Sequence, residues 1–374
     1  MPNLERICRR GRRAVARAAM PTFTNVNNTS IVTGAPPRVH GIGGNYFYDS
    51  QKGEEVMMNS SAFLRAPTIF PAAAKAGRKV AVVTAKEKLR DIFAHELIQA
   101  GGIAFSAEKA SAAKLETHGI DDVLELVGEN TPAIYSADAS LFVLKAGAAL
   151  LREKRADFLY LSTTDYVQHK AAPEEELALN FYAGIDAALG ALGECCATIG
   201  ITADHGMNPK QKKDGSPRVI YLESLLRQKF EKPFRVILPI TDPYVVHHGA
   251  LGSFAVVHCP AEIPLDAIRR FLIELEGVHE VLSREEAVAK MELPGDRLGE
   301  FVVSSARDVT LGRTPEYHDL RALDAPLRSH GGRYEEMVPF IFSRPLNAEY
   351  QARLRCDPRN FDLFDYLVNG TTHE

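Results

Sequence analysis

Three short apolar runs, each followed directly by polar residues, constrain the fold of this 374-residue chain more than any other feature. Runs of this length are too short for helices and are typical of strands buried on both faces of a sheet. They are Lys79–Thr84, Asp157–Ser162 and Thr198–Ala203. Helical patterns alternate with them at Asp91–Ala100, Ser136–Arg155 and Glu174–Leu192. The alternation predicts an α/β fold, a doubly wound, mostly parallel sheet with helices on both faces.

A different pattern occupies residues 208 to about 319. Its predicted strands are Phe234–Leu238, Ser253–His258 and Glu300–Ser305, and its predicted helices are Leu265–Leu275 and Ser283–Met291. Ser283 and Glu286 fit a capping box at the start of the second of these helices. The longer connections predict a smaller α+β cap, inserted at 208–319 into a core formed by residues 1–207 and 320–374. The core would end with a strand at Val338–Ser343 and a helix at Asn360–Val368.

The N-terminal residues 1–19 are rich in arginine and nearly free of acidic residues, as transit peptides are. We interpret them instead as a helix at Asn3–Arg10, followed by Gly11 and a strand. They contain no apolar stretch of the kind that a secretory signal needs. An α/β domain normally begins with a hydrophobic strand, and none precedes this helix. We therefore expect a first strand upstream of residue 1.

Composition narrows the class of protein. A hydrophobic content of 45% and a charged content of 25% are those of a soluble globular domain. The formal net charge of −4 argues against a nucleic-acid partner, and no apolar run approaches the roughly 20 residues that span a bilayer. The five cysteines are odd in number and show no Cys-x-x-Cys spacing. This favours free thiols in a reducing, cytoplasmic compartment.

The segment Met20–Asp49, called the polar segment below, is crowded with threonine, asparagine and glycine. Within it, only Asn28–Val32 has a pattern that could start a helix. A polar, turn-rich stretch between ordinary globular sequences is more typical of a functional surface than of a linker. The hydroxyl of Thr24 and the amide of Asn45 are the side chains that we expect to face a ligand.

Carboxylates and imidazoles gather where the predicted strands end. The five side chains are Asp165, His169, Asp204, His205 and His330. Asp165 and His169 are separated by three residues, so one helical turn or tight loop would direct both to one point. Ligands bind beyond the carboxyl ends of the strands in such sheets, which predicts a shared site. Carboxylate and imidazole suit zinc or a similar divalent ion, and five ligands exceed the four of one tetrahedral zinc, which indicates two metals.

Two metal ions about 4 Å apart stabilise the attacking and leaving groups of an in-line displacement at phosphorus. Thr24 would then be a nucleophile, because a metal ion can withdraw the proton of its hydroxyl at neutral pH. Each residue also has an ordinary interpretation. Asp204 could cap a strand-end turn, Thr24 could be a turn threonine, and Asn45 could stabilise its glycine turn. Lys86 and Lys88, beyond the first apolar run, could be solvated lysines that open a helix.

Together these motifs resemble the alkaline phosphatase superfamily, and within it the phosphonoacetate hydrolases. The matching stretches are FTNVNNTSIVTGAPPRVHGIGGNYFYD in the polar segment, TAKEKLR after the first run, Asp-x-x-x-His, Asp-His-Gly and Ser-His-Gly-Gly. Asp-His-Gly alone is a weak signal, whereas the combination is specific. The resemblance covers nearly the whole chain, cap included, and implies an alkaline-phosphatase-like fold.

The resemblance also implies the roles of the metal ligands. Thr24 would be the nucleophile that becomes phosphorylated and is then released by hydrolysis. One zinc would be held by Asp165, His169 and His330, and the other by Asp204, His205 and the Thr24 oxygen. Relatives carry an early strand whose terminal aspartate completes the second zinc site, and in this chain it would precede residue 1.

The remaining roles concern the substrate. By the same resemblance, Asn45 would hydrogen-bond a phosphonate oxygen, and Lys86 and Lys88 would receive the substrate carboxylate. The chemistry fits, because a C–P bond breaks only when the departing carbanion is delocalised. A carboxylate on the adjacent carbon allows departure as an enolate, and fixed cations stabilise the charge that grows on its oxygens.

The expected function is metal-dependent hydrolysis of the C–P bond of phosphonoacetate to acetate and phosphate, through a phosphothreonine. Two zinc ions are expected, and manganese or iron could replace them. One alternative is a phosphodiesterase or nucleotide pyrophosphatase of the same superfamily, and another is a truncated, catalytically impaired remnant. The expected partner is a small phosphonate, without nucleic acid or membrane, and a homodimer is left open.

Other reactive side chains are assigned to structure. His40, next to a glycine in the polar segment, is expected to make a structural hydrogen bond. His247 and His248 are expected on a strand edge of the cap rather than on a metal. Cys195 and Cys196 are expected to pack at a helix end, because an adjacent pair is a poor chelate.

Overall fold

The computed structural model describes residues 1–242 and 249–372, so the expectation for His247 and His248 lies outside the described residues. The strands, in chain order, are β1 Arg12–Arg17, β2 Tyr46–Asp49, β3 Glu54–Met57, β4 Val80–Thr84, β5 Ile103–Ser106, β6 Phe158–Ser162, β7 Gly200–Thr202, β8 Asn208–Pro209, β9 Val219–Tyr221, β10 Arg235–Ile237, β11 Phe254–His258, β12 Val278–Ser283, β13 Phe301–Ser305, β14 Thr310–Gly312, β15 Arg328–Ser329 and β16 Met337–Phe342.

The helices, in chain order, are α1 Pro2–Arg10, α2 Thr24–Thr33, α3 Pro37–His40, α4 Ile69–Lys75, α5 Glu87–Gln99, α6 Leu115–His118, α7 Val123–Val127, α8 Ala137–Arg152, α9 Tyr166–Lys170, α10 Glu176–Glu194, α11 Leu222–Phe230, α12 Leu265–Glu274, α13 Arg284–Met291, α14 Ala348–Arg353 and α15 Leu363–Asp365. Most elements predicted from the sequence form within a few residues of the expected bounds. The elements that the sequence patterns missed include the strands β2, β3, β5, β9, β12 and β14 and the helices α6, α7, α11 and α14. The predicted C-terminal helix is a series of short 3-10, α and π turns.

Two three-stranded sheets form the core. The parallel half-sheet has the order β5-β4-β6, with both pairs parallel, and the antiparallel half-sheet has the order β1-β16-β7. The mixed α/β class is therefore confirmed, but the expectation of a mostly parallel sheet holds only for the first half. The reason is the direction of β16, which starts just after His330 at the polar edge of the sheet and runs away from it. The doubly wound arrangement stays a prediction.

The strands differ in how deeply they are buried. Every residue of β4 is buried, whereas four of the five residues of β6 and all three of β7 are only partly buried. Successive side chains point to opposite faces of a sheet, so exposure of consecutive residues indicates an opening along the strand edge. Among the described strands, β6 pairs only with β4, and β7 only with β16. Alternate side chains of β6 nevertheless pack into two apolar clusters, Phe158 and Tyr160 into one and Leu159 and Leu161 into the other, so the expectation of burial on both faces holds for the packing of β6 and fails at its open edge.

The predicted cap contains a four-stranded antiparallel sheet of order β10-β11-β13-β12. The capping box at the start of α13 is confirmed: the Ser283 hydroxyl accepts a hydrogen bond from the Glu286 amide, and the Glu286 carboxylate accepts one from the Ser283 amide. The rings of Phe23 and Phe254 meet edge to face at 6.2 Å, so the cap sheet packs on the polar segment. The boundaries at 208 and 319 stay a prediction.

The polar segment folds differently from its sequence pattern. Its helix α2 begins at Thr24, four residues before the expected start, and ends at Gly34 in the left-handed conformation with φ of 61°. Asn25 through Val32 are all buried. A helix that is buried on every side has no apolar stripe, so no helical periodicity appears in its sequence. Tertiary packing therefore decided this helix.

The remaining expectations concern side chains and class. His40 is fully buried; its ring bonds the Ser30 hydroxyl at 2.8 Å and accepts from the Ile42 amide at 3.1 Å, as expected for a structural histidine. All five cysteines are free thiols, as predicted. In the described ranges, every helix is too short or too polar to cross a membrane.

Candidate metal centre and active site

The predicted ligands converge at the ends of β6 and β7. Asp165 lies three residues beyond β6, and its Oδ2 atom is surrounded by imidazole nitrogens. The distances from this oxygen are 3.0 Å to His169 Nε2, 3.5 Å to His330 Nε2 and 3.7 Å to His205 Nε2. Asp165, His205 and His330 offer ligand atoms that all lie within 4.8 Å of one another. We call Asp165, His169, Asp204, His205 and His330 the metal cluster.

The other ring nitrogen of each histidine is already engaged. Each Nδ1 lies at hydrogen-bond distance from a backbone carbonyl oxygen, at 2.7 Å for His169 with Arg328, 2.9 Å for His205 with Gly206 and 2.7 Å for His330 with Thr22. A carbonyl oxygen can only accept, so the proton of a neutral ring sits on Nδ1 and the lone pair on Nε2 points into the cluster. Metal-binding histidines are oriented in the same way. The residues present therefore fit a divalent metal ion.

The protonation states also suit a metal site. Burial by itself would raise the pKa of Asp165, but His169, His205 and His330 outweigh it and hold that pKa well below its usual range. Burial lowers the pKa of His330 well below its ordinary value, with a further decrease from His205. Asp165 is thus ionised and His330 neutral, which are the forms that bind metal.

The cluster does not separate into the two ligand sets that the resemblance implies. The His205 and His330 rings stack at 3.5 Å between centroids with an interplanar angle of 5°, although the two residues were assigned to different zinc ions. Asp204 lies at the edge, with Oδ2 3.6 Å from His205 Nε2. The geometry brings all five expected ligands together, and the division between two metals stays a prediction.

Thr24 is the first residue of α2, where backbone amides have no partners inside the helix and favour an anionic ligand. Its Oγ1 atom lies 3.4 Å from His205 Nε2. The expected nucleophile therefore stands on the cluster, on the side of His205 and Asp204. Asn28, one turn further along α2, donates to Asp204 Oδ2 at 3.2 Å.

A buried ion pair joins the loops that carry two of the histidines. The side chains of Lys210 and Glu335 are fully buried, with 3.0 Å between Nζ and Oε1. The Gly206 amide donates to the Glu335 carbonyl at 2.7 Å, and the Gly332 amide donates to the Glu335 carboxylate at 3.0 Å. Glu335 thereby fixes the loop of His205 to the loop of His330. No sequence motif had indicated this pair.

The two lysines expected to receive the substrate carboxylate differ. Lys88 Nζ lies 2.7 Å from Asp242 Oδ2, with the two side chains 17% and 5% exposed. Lys86 Nζ lies 5.9 Å from the centroid of the Tyr135 ring, and among the described residues no carboxylate is within ion-pair distance of it. Burial lowers the pKa of Lys86, while the nearby Asp165 raises it. The two lysines thus differ in their partners, since Lys88 is already paired with a carboxylate, and the role of Lys86 toward a substrate stays a prediction.

Asn45 is buried on the other flank, against the segment that leads into the cap. Two of its nitrogen atoms donate hydrogen bonds to this segment. The backbone N–H donates to the Pro239 carbonyl oxygen at 2.8 Å, and the side-chain Nδ2 donates to the Ile240 carbonyl oxygen at 3.4 Å. Its Oδ1 atom is buried and has no hydrogen-bond partner among the described residues. The described contacts of Asn45 do not reach the cluster, so its role toward a phosphonate stays a prediction.

Comparison with known proteins decides the family. The sequence model for type I phosphodiesterase / nucleotide pyrophosphatase matches residues 1–333. The chain belongs to this family, within the alkaline phosphatase superfamily. Residue similarity therefore extends over the polar segment, the metal cluster and the cap.

Solved structures refine this assignment. The chain is 51% identical to phosphonoacetate hydrolase from Sinorhizobium meliloti 1021 in complex with phosphonoacetate, with a TM-score of 0.93 over 100% of this chain and 90% of that chain. The complex of the same enzyme with phosphonoformate gives the same values. Murine ectonucleotide pyrophosphatase / phosphodiesterase 5 is 17% identical, with a TM-score of 0.62 over 100% and 91% of the chains, and shows the fold alone.

The comparisons confirm the resemblance to phosphonoacetate hydrolases and the alkaline-phosphatase-like fold. This member of the family is a hydrolase. Asn28, Asp242 and the Lys210–Glu335 pair are the site neighbours that sequence reasoning missed. They carry no signal of their own, because an asparagine in a polar run or a lysine in a loop acquires its role only through its tertiary partners.

Proposed function

We propose that the chain cleaves the C–P bond of phosphonoacetate, giving acetate and phosphate, with two zinc ions in the metal cluster. The observation that carries this proposal is the position of Lys86. Its ammonium is partly buried, feels the charge of Asp165, and has no carboxylate at ion-pair distance among the described residues. A phosphonate on the metals and a carboxylate on Lys86 would place the charges of phosphonoacetate on opposite charges.

The chain's own groups define the steps of this reaction. Bound divalent ions would supply Lewis acidity, lowering the pKa of the Thr24 hydroxyl and neutralising phosphonate charge. Thr24 Oγ1 attacks phosphorus, the C–P bond breaks, and its electron pair leaves on the carbon as the enolate of acetate. Lys86 interacts more strongly with the enolate charge than with the carboxylate of the bound substrate, so it lowers the barrier to C–P cleavage. The carbon takes a proton, and water then releases phosphate and the free Thr24 hydroxyl.

Phosphate and acetate release from phosphonoacetate, followed by phosphorus and proton NMR, tests this proposal. We expect release that stops on treatment with EDTA and returns when zinc is added. Methylphosphonate is the matched control substrate, since it lacks the carboxylate and should release no phosphate. Zinc binding without any acetate release would contradict the assigned reaction, and an unchanged rate in EDTA would contradict the metal.

A nucleotide phosphodiesterase activity is the second candidate. The Tyr135 ring lies beside Lys86, with its centroid 6.1 Å from that of the Tyr166 ring, and aromatic side chains of this kind can stack on a base. The family match is consistent with such a substrate. Release of nucleotide monophosphate from diester substrates, undiminished by replacing Lys86 with glutamine, would favour this activity over C–P cleavage.

A further inference from the structure

The side chain of Asn28 has its full set of hydrogen bonds at the metal cluster. It is buried, one turn after Thr24 on α2. Its Oδ1 atom accepts from Tyr160 Oη at 2.7 Å and from Ser162 Oγ at 2.8 Å. Its Nδ2 atom donates to the Thr24 carbonyl oxygen at 3.0 Å and to Asp204 Oδ2 at 3.2 Å. Both donors and both acceptor positions of the amide are therefore used.

These partners fix which way the amide points. Hydroxyl groups occupy Oδ1, while a carbonyl oxygen and a carboxylate, which can only accept, occupy Nδ2. Rotating the amide by 180° would place its oxygen against the Asp204 carboxylate and would leave that buried contact repulsive. Asn28 thus presents one N–H bond to Asp204 Oδ2, the oxygen that also lies 3.6 Å from His205 Nε2. This oxygen has a second lone pair, so the hydrogen bond orients it and still leaves it able to bind a metal ion.

The hydrogen bonds of Asn28 connect elements that meet at the metal cluster. Tyr160 and Ser162 belong to β6, Asp204 follows β7, and Thr24 begins α2. In the described part of the chain, no backbone pairing joins β6 to β7. Side-chain contacts link the two strand ends at the cluster, and Asn28 bonds to both of them from α2.

We propose that Asn28 is a positioning residue for metal binding. Its amide orients the Asp204 carboxylate and holds the first turn of α2, so that Asp204 and the Thr24 hydroxyl face the same point. The inference rests on the proposed metal-binding role of Asp204 and does not depend on which phosphorus compound is the substrate. Ligand orientation by an outer hydrogen bond typically changes metal affinity by about 10–100-fold.

Zinc affinity of the whole chain, measured by competition with a chromophoric chelator, tests this role. We expect Asn28→Leu to weaken the weaker-binding zinc by about 10–100-fold. The matched control is Asn25→Leu on the same helix, whose amide donates to the Met58 carbonyl oxygen at 2.9 Å. Both variants remove a buried amide from α2, but only the first should change zinc affinity.

A double variant that leaves Asn28 itself unchanged provides a second test if Asn28→Leu does not fold. Tyr160→Phe together with Ser162→Ala removes both donors to Oδ1 and leaves Asn28 in place, so the amide is no longer anchored to β6 and is held only through Nδ2. We expect about a 10-fold loss of zinc affinity, and a fall in kcat that excess zinc reverses while KM stays unchanged.

The outcomes separate this inference from the proposed function. If the unmodified chain binds zinc but does not cleave phosphonoacetate, the proposed substrate is wrong and the role of Asn28 can still be measured. If both sets of variants lower only the thermal unfolding temperature and keep the zinc affinity of the unmodified chain, Asn28 is structural and the inference is overturned.

Discussion

The two sides of the metal cluster are held in different ways. On the first side, Asp165, His169 and His330 form short contacts, and both histidine rings are oriented by backbone carbonyls. On the second side, the Gly206 carbonyl orients the His205 ring in the same way, but Asp204 Oδ2 lies 3.6 Å from that ring and is held by the Asn28 amide, and the Thr24 hydroxyl lies 3.4 Å from His205. The histidines of both sides are pre-organised by backbone groups, whereas the carboxylate and the hydroxyl of the second side make longer contacts and depend on side chains. Pre-organised ligands bind metal more tightly, so we expect the first side to retain zinc more strongly.

Replacing the nucleophile should give the largest effect. Thr24→Ala is expected to reduce phosphonoacetate cleavage by about 10⁴-fold or more, because loss of an enzyme nucleophile removes the whole covalent route. Zinc content should fall little, since the strong side of the cluster keeps every ligand. Thr29→Ala is the matched control on the same helix, because its buried hydroxyl has no partner among the described residues. Normal turnover by Thr24→Ala would refute the nucleophile.

Exchanging the carboxylates one at a time compares the two sides directly. Asp165→Asn should weaken zinc binding by more than about 100-fold, because Asp165 Oδ2 faces three imidazoles. Loss of a hydrogen bond to a metal ligand alone typically changes metal affinity by about 10–100-fold, and loss of a ligand should cost more. Asp204→Asn should weaken one zinc by about 10–100-fold and spare the other. Titration with a chelator measures both losses.

A buried carboxylate away from the cluster provides the control for that comparison. Asp186 accepts hydrogen bonds from the backbone amides of Asn3 and Leu4 at the start of α1. Asp186→Asn should lower the unfolding temperature and leave zinc affinity unchanged. Equal zinc losses in the Asp165 and Asp204 variants would remove the difference between the two sides.

The two lysines should differ less than the ligands do. Lys86→Gln is expected to lower kcat for phosphonoacetate by about 10²–10³-fold, the usual effect of losing one group that stabilises developing charge. Lys88→Gln should act mainly through KM and stability, because it removes the ion pair between Lys88 and the buried Asp242. Steady-state kinetics of the Lys86→Gln and Lys88→Gln variants measures this difference. The Asp242→Asn variant, which changes the other member of the Lys88 ion pair, is measured beside them. Equal kcat losses for the two lysine variants would contradict the division of roles.

The smallest effect concerns acid stability outside the cluster. Burial lowers the pKa of His40 from 6.5 to about 3. As the pH falls, His40 is therefore protonated in the unfolded chain at a higher pH than in the folded protein. Its effect on the free energy of unfolding is absent above about pH 6.5, and below that pH the free energy of unfolding falls by up to about 1.4 kcal/mol per pH unit. In urea unfolding of the metal-free protein, His40→Gln should show a shallower loss between pH 6.5 and 5. An identical slope would show that His40 does not contribute.

Much of the site could be predicted because its residues carry distinct chemistry. Aspartate and histidine directly after short apolar runs indicate a metal site wherever the strands end, and β4, β6 and β7 all formed close to the predicted bounds. Their half-exposed edges could not be predicted, because an apolar run looks the same whether or not a neighbouring strand covers it. The start of α2 was missed for a related reason, since burial on all sides leaves no periodic pattern.

The sequence by itself determined the α/β class, the ligand types and the family, since these depend on composition, spacing and motifs along the chain. Only the tertiary structure decided that His205 stacks on His330, that Asp242 pairs with Lys88, and that Asn28 joins three elements. Such contacts join residues that lie far apart in the chain, and each depends on distances of a few ångströms. Local sequence preferences do not encode those distances; the packing of the whole core sets them.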